Sequence, residues 1–427
     1  MTGRSQDIIS ELEGRELVSQ LAGGDELRAH LTEGSRTIYC GFDPTAESLH
    51  IGSVVPLLLL KRFQMAGHKP IALIGGATGL IGDPSFKATE RQLNSSDKVE
   101  AWVEKLKPQL GQFLEFDSGK NSAMLLNNLE WTKGYELLGF LRDIGKHFSV
   151  NSMIQKESVK QRLDRDEGGI SYTEFSYMLL QSYDFAELNR RYGCTVQVGG
   201  SDQWGNITGG IDLTRRMHRT QVYGMTTPLV TKADGSKFGK TEKGTVWLSG
   251  LKTSPYAFYQ FWLNVADLDV YRYLKYFTFL AVNEINEIRQ GDSESQTKPE
   301  GQRILAEEVT ELLHGKDGLI AAQRISEGLF SNDISKLTNE DLAQLELDGL
   351  PCTEIEGGSK GIVEALVITE LAKSNKMARE FVGNNAVSVN GLGVDSVDFQ
   401  LSQSSALNGK YFVLKRGKKL FHLVKLV

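Results

Sequence analysis

The sequence predicts an α/β protein with a parallel β-sheet in its first half, then a helical region, then a small α+β region at the C-terminal end. Two apolar strands flank an apolar helix within residues 37–74, and a strand–helix–strand unit of this length forms a right-handed parallel pair. Beyond about residue 250 the pattern becomes helical, and after about residue 385 it becomes short strands with tight turns. These three observations define the predicted fold class.

The first strand and helix form a candidate anion site. Residues 37–40 are β-branched and apolar and predict a buried strand, which Asp43-Pro44 ends. His50 and Gly52 stand at the start of a helix predicted over 54–65. A helix N-terminus offers unpaired N–H groups and the positive end of a dipole, so it suits a phosphate. Capping or surface exposure is nevertheless the commoner role of a single histidine at a helix start.

A glycine-rich loop follows the second predicted strand, 69–74. The stretch 75–84 contains four glycines and Asp83, and glycines let a ligand approach the backbone closely. Lys87 and Arg91 lie just beyond it, where they can meet an anion or remain solvated. Ligands of parallel sheets bind at the carboxyl ends of the strands, which is where this loop begins.

A later helix carries polar side chains on one face. Residues 171–185 predict this helix, and Tyr177, Gln181 and Asp184 share a face because they lie four and then three residues apart. Polar groups on an otherwise apolar helix need partners. A bound ligand and an internal hydrogen-bond ladder both satisfy that requirement.

The strand, polar turn and helix arrangement then occurs a second time. Residues 195–198 predict a buried strand, which runs into a glycine-rich turn and a helix over 207–216. Asp202 and Gln203 lie in that turn, where they can hold hydroxyl and carbonyl groups of a ligand.

A polar loop at 231–241 contains three lysines, Lys232, Lys237 and Lys240. Its end, Gly239-Lys240-Thr241, resembles the end of a Walker A loop. That motif needs glycine where this chain has Asp234, and it must open a helix, whereas 244–248 predicts a strand. We therefore reject a P-loop and retain lysines that can meet polyphosphate charge.

Composition gives the domain boundaries and limits the class of protein. The predicted segments are a Rossmann-like domain, a lysine loop, a helical domain, an irregular acidic linker and a small basic domain, at 1–230, 231–248, 249–335, 336–357 and 358–427. The net charge is −6, yet residues 407–427 carry six lysines and arginines and no acid, which suggests a polyanion partner.

The chain shows no signal for a membrane or an oxidising compartment. Its longest apolar run, 54–60, is far shorter than the roughly 20 residues of a membrane helix. The acidic N-terminus does not resemble a signal peptide. Cys40, Cys194 and Cys352 are scattered and have neither disulfide nor metal-binding spacing. We therefore expect the protein to work in a reducing cytoplasm, without a metal site formed by its cysteines.

With these motifs in order, almost the whole chain resembles the bacterial tyrosyl-tRNA synthetases, which are class I aminoacyl-tRNA synthetases. The resemblance runs from 39–45 through 199–206 to the basic end. Residues 50–53 resemble the HIGH signature of that class, with Ser53 in place of its second histidine. Residues 237–241 resemble the KMSKS loop and keep its two lysines.

The resemblance implies a Rossmann-like catalytic domain with a dimer-forming insertion, a helical anticodon-binding domain and a small RNA-binding domain. It also implies a cytoplasmic homodimer that uses L-tyrosine, ATP with Mg²⁺, and tRNA(Tyr). The residues implied to hold tyrosine are Tyr39, Asp83, Tyr177, Gln181, Asp184 and Gln203, with Tyr39 and Asp184 at its phenolic hydroxyl. Those implied to hold ATP are Asp43, Gly52, Ser53, Asp202 and Lys240. Those implied to surround the pyrophosphate are Thr45, His50, Lys87, Arg91, Lys237 and Lys240.

Two other classes of protein are open to the same sequence. A non-catalytic RNA-binding protein that retains a synthetase body would tolerate Ser53, but it has no need of Lys237, Lys240, Asp184 and Gln203. A Rossmann dehydrogenase is disfavoured because no G-x-G-x-x-G opens the first helix. The expected activity is therefore that of a tyrosine–tRNA ligase.

Overall fold

The computed structural model of the chain describes residues 7–85, 93–163, 169–236, 238–241, 244–296, 298–331, 333–356, 359–417 and 420–427. The chain divides into two compact units. Unit 1 contains residues 1–248 and 268–294, and unit 2 contains residues 249–267 and 295–427. Lys87, Arg91 and Lys237 lie outside the described residues, as does the side chain of Lys240.

The helices are α1 Ile8–Gly14, α2 Gly24–Thr32, α3 Val54–Met65, α4 Thr78–Ile81, α5 Ser96–Gly111, α6 Leu129–Thr132, α7 Leu137–Asp143, α8 Val150–Ile154, α9 Glu157–Leu163, α10 Tyr172–Tyr192, α11 Trp204–His218, α12 Pro255–Leu263, α13 Asp267–Phe277, α14 Val282–Glu294, α15 Gly301–Ser331, α16 Asn339–Leu347, α17 Ile362–Ile368 and α18 Asn375–Gly383. The strands are β1 Gln20–Ala22, β2 Thr37–Phe42, β3 Lys69–Ile74, β4 Met124–Asn127, β5 Cys194–Gly200, β6 Tyr223–Thr227, β7 Lys240–Thr241, β8 Gly244–Thr245, β9 Cys352–Ile355, β10 Ser359–Gly361, β11 Val387–Val389, β12 Leu392–Gly393, β13 Gln400–Ser402, β14 Tyr411–Arg416 and β15 Leu420–Leu426. Among the described residues, no helix combines the length and apolar character that crossing a membrane requires.

A six-stranded sheet in the order β1-β6-β5-β2-β3-β4 organises unit 1. Its strands from β6 to β4 are all parallel, and only β1 runs antiparallel to its neighbour. The chain passes from β2 to β3 on one side, whereas β5 and β6 lie on the other side. The carboxyl ends of β2 and β5 therefore flank the point at which such folds bind ligands, and the predicted parallel sheet is confirmed.

The first strand–helix–strand unit forms as the apolar pattern predicts. The helix predicted over 54–65 is α3, and nearly all its apolar side chains are buried, including Leu57 and Phe63. A helix that is apolar on all sides must lie inside the protein. The second strand, β3, occupies the predicted residues 69–74 and pairs with β2 along its whole length.

Three short strands of the large sheet were not predicted. The apolar spacing of residues 1–36 predicts helices, but Gln20–Ala22 forms β1, whose Gln20 pairs with Thr226 of β6. The correction has a physical reason, because a three-residue edge strand is too short to show a period of two. The strands β4 and β6 were missed for the same reason, since they contain four and five residues.

Unit 2 combines helices with a five-stranded sheet in the order β12-β11-β14-β15-β9. Ser254-Pro255 predicts a helix start, and the structure agrees, because the hydroxyl of Ser254 accepts from the backbone N–H of Ala257 and Pro255 opens α12. The long helix α15 is interrupted at Gly315, whose φ of 70° is left-handed and suits glycine. The basic C-terminal hairpin predicted from the sequence is β14–β15.

The stretch 336–357 was expected to be an irregular linker, and the structure corrects this. Thr338 and Asp341 form a capping box that starts α16, and Leu342 and Leu345 of α16 are buried. Residues 352–355 then form β9, which pairs with β15 of the C-terminal sheet. The acidic composition of the stretch belongs to the exposed face of a short amphipathic helix, which composition alone does not distinguish from a linker.

Candidate active site

Polar residues that follow four neighbouring strands of unit 1 lie at the carboxyl edge of the large sheet. Asp43 follows β2, the glycine-rich loop from Gly75 follows β3, Asn128 follows β4, and Asp202 follows β5. Because these strands are parallel and adjacent, their ends lie side by side. Residues far apart in sequence thus form one crevice.

A hydrogen-bonded trio lies at the end of β2. The Tyr177 hydroxyl donates to Oδ2 of Asp43 over 2.7 Å, and the Thr78 hydroxyl donates to Oδ1 over 2.6 Å. Burial, with Asp43 beside it, raises the pKa of Tyr177 well above its usual range, so the phenol stays protonated. A β-carbon at Gly75 would overlap both Asp43 and Thr78, so only glycine lets this trio form. The resemblance placed Asp43 and Tyr177 on different parts of the ligand, and in the structure they contact each other.

Asp184 is buried beneath two donors that were not predicted. The Asn128 amide donates to Oδ2 over 2.9 Å, and the Trp131 indole donates to Oδ1 over 2.8 Å. Burial raises the pKa of Asp184 to about 7, against the lowering effect of these two hydrogen bonds. Asn128 is itself fixed, because it accepts from the N–H of Ala77 over 2.7 Å and donates to Thr78 over 3.1 Å.

We expect the raised pKa of Asp184 to make the unliganded protein less stable as the pH rises from about 4 to about 7. The unfolded carboxyl loses its proton near its model value of 3.8, whereas the folded one keeps it until about 7. The folded state therefore binds more protons in this window, and its free energy of unfolding falls by up to about 1.4 kcal/mol per pH unit. Denaturant titrations of wild type and Asp184→Asn from pH 4 to 8 measure this slope.

Only the slopes of the free energy of unfolding against pH are compared, because Asp184→Asn also changes the absolute free energy of unfolding. An amide at position 184 would turn an NH₂ group toward Asn128 or Trp131, which are donors themselves. The variant has no titrating group there, so its free energy should depend less steeply on pH in this window. Identical slopes for the two proteins would show that Asp184 is ionised at ordinary pH.

Buried polar atoms near this carboxyl have no hydrogen-bond partner within the described part of the chain. They are Oη of Tyr39, Oε1 of Gln181 and Oε1 of Gln197. Tyr39 is 1% exposed, and burial followed by the charge of Asp184 raises its pKa well above the usual range. Buried polar groups almost always have partners in folded proteins. These three oxygen atoms are therefore available to hydrogen-bond a polar ligand.

Asp83 and Gln203 face each other across the crevice. The Gln203 amide donates to Oδ2 of Asp83 over 2.7 Å, and the N–H of Ser85 donates to Oδ1 over 3.0 Å. Asn206, one turn along α11, donates to Oε1 of Gln203 over 3.1 Å. This chain of contacts orients the Gln203 carboxamide and couples the glycine-rich loop to the turn after β5.

His50 caps the turn that leads into α3. Its Nδ1 accepts from the N–H of Gly52 over 3.0 Å, so the neutral ring carries its proton on Nε2. The histidine is exposed, and Gly52 and Ser53 are half-buried at the start of the helix. An Nε2–H donor beside a helix N-terminus can meet an anion.

A cavity of about 320 Å³ opens beside Thr45. It is lined by Asp43, Pro44, Thr45, the loop residues 79–82, and Asn94, Lys98 and Trp102 from the start of α5. Lys98 lies over the ring of Trp102, 4.8 Å from its centre. The cavity shares Asp43 with the hydrogen-bonded trio, so the two belong to one crevice.

Hydrogen bonds thus join Asp43 to Tyr177 and Asp83 to Gln203 at the ends of β2, β3 and β5. Tyr39 lies within β2, Gln181 and Asp184 lie on α10 with Tyr177, and Asp202 follows β5. Thr45 lies in the turn after β2, and His50, Gly52 and Ser53 lie just before α3. Sequence reasoning missed Asn128, Trp131, Thr78 and Gln197. A signal for the first two was present, because the apolar run 124–126 precedes two asparagines, as strands precede polar turns elsewhere in this sheet.

Two known protein families match most of this chain. The family described as tRNA synthetases class I (W and Y) matches residues 32–331, and the Tyrosine--tRNA ligase SYY-like C-terminal domain matches residues 341–424. The chain is 63% identical over 419 residues to the tyrosine–tRNA ligase of Aliivibrio fischeri, with 98% of each chain covered. It is 60% identical over 417 residues to that of Chromobacterium violaceum, again with 98% of each covered.

A solved structure agrees with these relatives. The C-terminally truncated mitochondrial tyrosyl-tRNA synthetase of Aspergillus nidulans is 32% identical to this chain and superimposes with a TM-score of 0.69. The match covers 77% of this chain and 95% of that one. Both family matches, the near full-length relatives and the crevice at the carboxyl ends of a parallel sheet therefore agree that this chain belongs to the tyrosine–tRNA ligases of the class I tRNA synthetases.

Proposed function

We propose that the protein activates L-tyrosine with ATP to form tyrosyl-adenylate and pyrophosphate, and then transfers tyrosine to the 3′ end of tRNA(Tyr). The observation that carries the proposal is the buried pair of Tyr39 and Asp184. Oη of Tyr39 has no partner among the described residues, while Asp184 is oriented by two fixed donors. A phenolic hydroxyl, which can donate and accept at once, complements this pair.

The rest of the crevice offers complementary groups for the other end of tyrosine. Oε1 of Gln181 and the carboxylate of Asp83 can accept from an ammonium group, and the Tyr177 phenol lies at the same edge through Asp43. The Gln203 amide, which now donates to Asp83, can turn its donors to a carboxylate. This arrangement supports binding of an amino acid as a zwitterion with an aromatic hydroxyl.

ATP would lie along the second half of the crevice. The ribose would meet Asp202 and the backbone at Gly52, with Asp43 and Ser53 on the nucleoside side. The leaving pyrophosphate would lie against Thr45, His50, Lys87, Arg91, Lys237 and Lys240. The cavity beside Thr45 and the Nε2–H of His50 support this placement.

The activation step requires no general base. An ionised tyrosine carboxylate attacks the α-phosphorus of ATP, a carboxylate O–P bond forms, and the bond to the bridging oxygen of pyrophosphate breaks with its electron pair. A hydroxyl of the terminal tRNA ribose then attacks the carbonyl carbon of the adenylate, the bond from that carbon to the phosphate oxygen breaks, and AMP leaves with the proton of the hydroxyl. The protein positions two reactants and stabilises the charge that grows on pyrophosphate.

We propose that Mg²⁺ enters with ATP. In the described residues, no three His, Cys, Asp or Glu side chains form a group that could hold a metal ion. Mg²⁺ bound to a nucleotide usually keeps several waters and takes its other ligands from the substrate phosphates and from one or two carboxylates of the protein. A site with few carboxylates suits this mode of binding. The ion would neutralise phosphate charge.

The proposal includes a homodimer in the cytoplasm that binds tRNA. The exposed apolar side chains of α7 and α8 support a subunit contact, since Leu137, Leu138 and Val150 are 72%, 78% and 58% exposed. The mass of the protein in solution tests the homodimer.

Free cysteines suit a reducing compartment. Lys410 is exposed beside β14 and supports contact with RNA phosphates.

Tyrosine-dependent exchange of pyrophosphate into ATP, measured without tRNA and beside phenylalanine, tests the proposed function. Exchange with tyrosine and much less with phenylalanine is the expected result, because only tyrosine satisfies Tyr39 and Asp184. A folded protein that exchanges with no amino acid would contradict the proposal and favour a non-catalytic RNA-binding protein.

A further inference from the structure

The lysine loop, residues 231–248, is held at its first turn by α13. The N–H of Ala233 donates to Oδ2 of Asp269 over 3.0 Å. The carbonyl of Thr231 accepts from the Tyr273 hydroxyl over 2.9 Å and from Nη2 of Arg272 over 2.7 Å. Arg272 also pairs with Asp269. Three contacts thus come from one face of α13, within little more than one helical turn, so the start of the loop has a defined position.

An aromatic side chain fixes the loop again between its lysines. Phe238 is half-buried, and its ring lies 5.0 Å from that of Tyr273 and 5.3 Å from that of Phe277, measured between ring centres. Tyr273 and Phe277 are themselves almost fully buried. Phe238 precedes Lys240 by two residues in the sequence, and its ring contacts limit where the backbone at 238–239 can lie.

The far side of the loop rests on the turn that contains His50. The N–H of Val246 donates to the carbonyl of Gly239, and the N–H of Ile51 donates to the carbonyl of Val246, both over 3.0 Å. Gly239 has a φ of 77°, and a β-carbon there would overlap Ile51. The glycine therefore allows direct packing of the loop against the start of α3.

The segment that follows α13 is tied to α3 and to the end of α1 by one buried arginine from each. Nη2 of Arg62, on α3, donates to the carbonyl of Thr278 over 2.5 Å, and Nη2 of Arg15 donates to that of Leu280 over 2.8 Å. Both arginines are 4% exposed. Loss of such a buried charged contact would leave an uncompensated group, so the attachment of α13 to α3 is firm.

We infer that Asp269, Arg272, Tyr273 and Phe238 are positioning residues that fix the lysine loop relative to the His50 turn for the activation step. The inference rests on the proposed function, because it assigns these residues to the placement of Lys237 and Lys240. None of them need touch the substrate. Placement matters because charge stabilisation of the leaving group depends on distances that an error of about 1 Å already impairs.

The phenol of Tyr273 suits this role over a wide pH range. Burial, followed by the charge of Asp269, raises the pKa of Tyr273 to about 12. The hydroxyl therefore remains a donor to Thr231 wherever the protein is folded. The exchange rate of wild type, plotted against pH, should therefore have the same shape near pH 10 as that of Tyr273→Phe.

Two variants on the loop side test the inference in the full-length protein. Tyr273→Phe removes one hydrogen bond to Thr231, and Phe238→Leu removes the ring contacts but keeps an apolar side chain. Each should lower kcat for tyrosine-dependent exchange about three- to tenfold, which corresponds to one hydrogen bond or one aromatic pair. KM for tyrosine should change less than about twofold, since the tyrosine pocket is untouched.

Tyr276→Phe is the matched control. Tyr276 lies on the same helix, but its hydroxyl donates to the carbonyl of Glu16 over 3.2 Å and not to the loop. This variant should keep kcat within about twofold of wild type. An equal fall in the control, or an unchanged kcat in both loop-side variants, would overturn the inference.

Hydrogen–deuterium exchange gives a second measurement that does not depend on activity. Amides of 231–236 should exchange faster in Tyr273→Phe than in wild type, while those of β2 and β3 should be unchanged. Equal exchange of 231–236 in both proteins would also overturn the inference. If wild type lacks tyrosine-dependent activity, the proposed function fails, and this measurement still decides whether α13 holds the loop.

Discussion

Replacement of Asp184 by alanine is expected to remove most of the preference for tyrosine over phenylalanine. The carboxyl is buried, held by Asn128 and Trp131, and placed beside the unpartnered hydroxyl of Tyr39. Loss of a hydrogen bond to such a group should lower kcat/KM for tyrosine by one to two orders of magnitude, while phenylalanine, which never made it, should lose far less. Parallel exchange assays with the two amino acids measure the ratio.

The reason is that buried polar groups are costly when they are left without a partner. A site built around a hydroxyl rejects the analogue that lacks it, and the tyrosyl-tRNA synthetases are themselves the standard example of this effect. In this chain, bound phenylalanine would leave both Tyr39 and Asp184 without the hydrogen bonds that the tyrosine hydroxyl makes, which disfavours its binding.

Glu187→Gln provides the matched control for this prediction. Glu187 lies on the same helix, α10, but its carboxylate pairs with Arg190 and Arg191. Its removal should leave the ratio of tyrosine to phenylalanine unchanged. If Asp184→Ala folds and still discriminates as well as wild type, Asp184 does not bind the phenolic hydroxyl.

Lys237→Ala and Lys240→Ala should slow tyrosine activation by about a hundredfold each, the usual effect of removing one group that stabilises developing charge. Binding of tyrosine should be almost unchanged, because the tyrosine pocket lies at the ends of β2 and β5, whereas these lysines follow Ser236 on a separate loop. Pre-steady-state formation of the adenylate and equilibrium binding of tyrosine measure the two effects separately.

Lys232→Ala separates the position of the charge from its mere presence. Lys232 stands in the same loop, and its N–H donates to the carbonyl of Ser236 in the turn before the two lysines. Its replacement removes one positive charge from the loop and should slow activation less than about threefold. A hundredfold effect of all three replacements would indicate a general electrostatic attraction of ATP, and no effect of any would exclude the loop from activation.

The long elements of unit 1 could be predicted from the sequence because their apolar patterns are continuous. The helix at 54–65 and the strand at 69–74 were found with the correct bounds. The short strands β1, β4 and β6 could not be predicted. Each is stabilised by a neighbouring strand that is distant in sequence, such as Thr226 beside Gln20, and not by its own pattern.

The candidate site was predictable as a set of turns and not as a set of contacts. Because parallel strands end at one edge, residues after β2, β3 and β5 had to lie together. The bonds of Tyr177 with Asp43 and of Gln203 with Asp83 join residues more than 100 positions apart. Their pairing depends on side-chain geometry, which no periodicity in the sequence encodes.

The stretch 336–357 has a consequence for how unit 2 unfolds. Leu342 and Leu345 of α16 share one apolar cluster with Ile325 of α15 and with Val413 and Leu423 of the C-terminal sheet. A cluster that takes side chains from all three elements links their stabilities, so heat or denaturant should disrupt them as one cooperative block. Chain segments that differ sharply in composition and charge thus belong to a single thermodynamic domain.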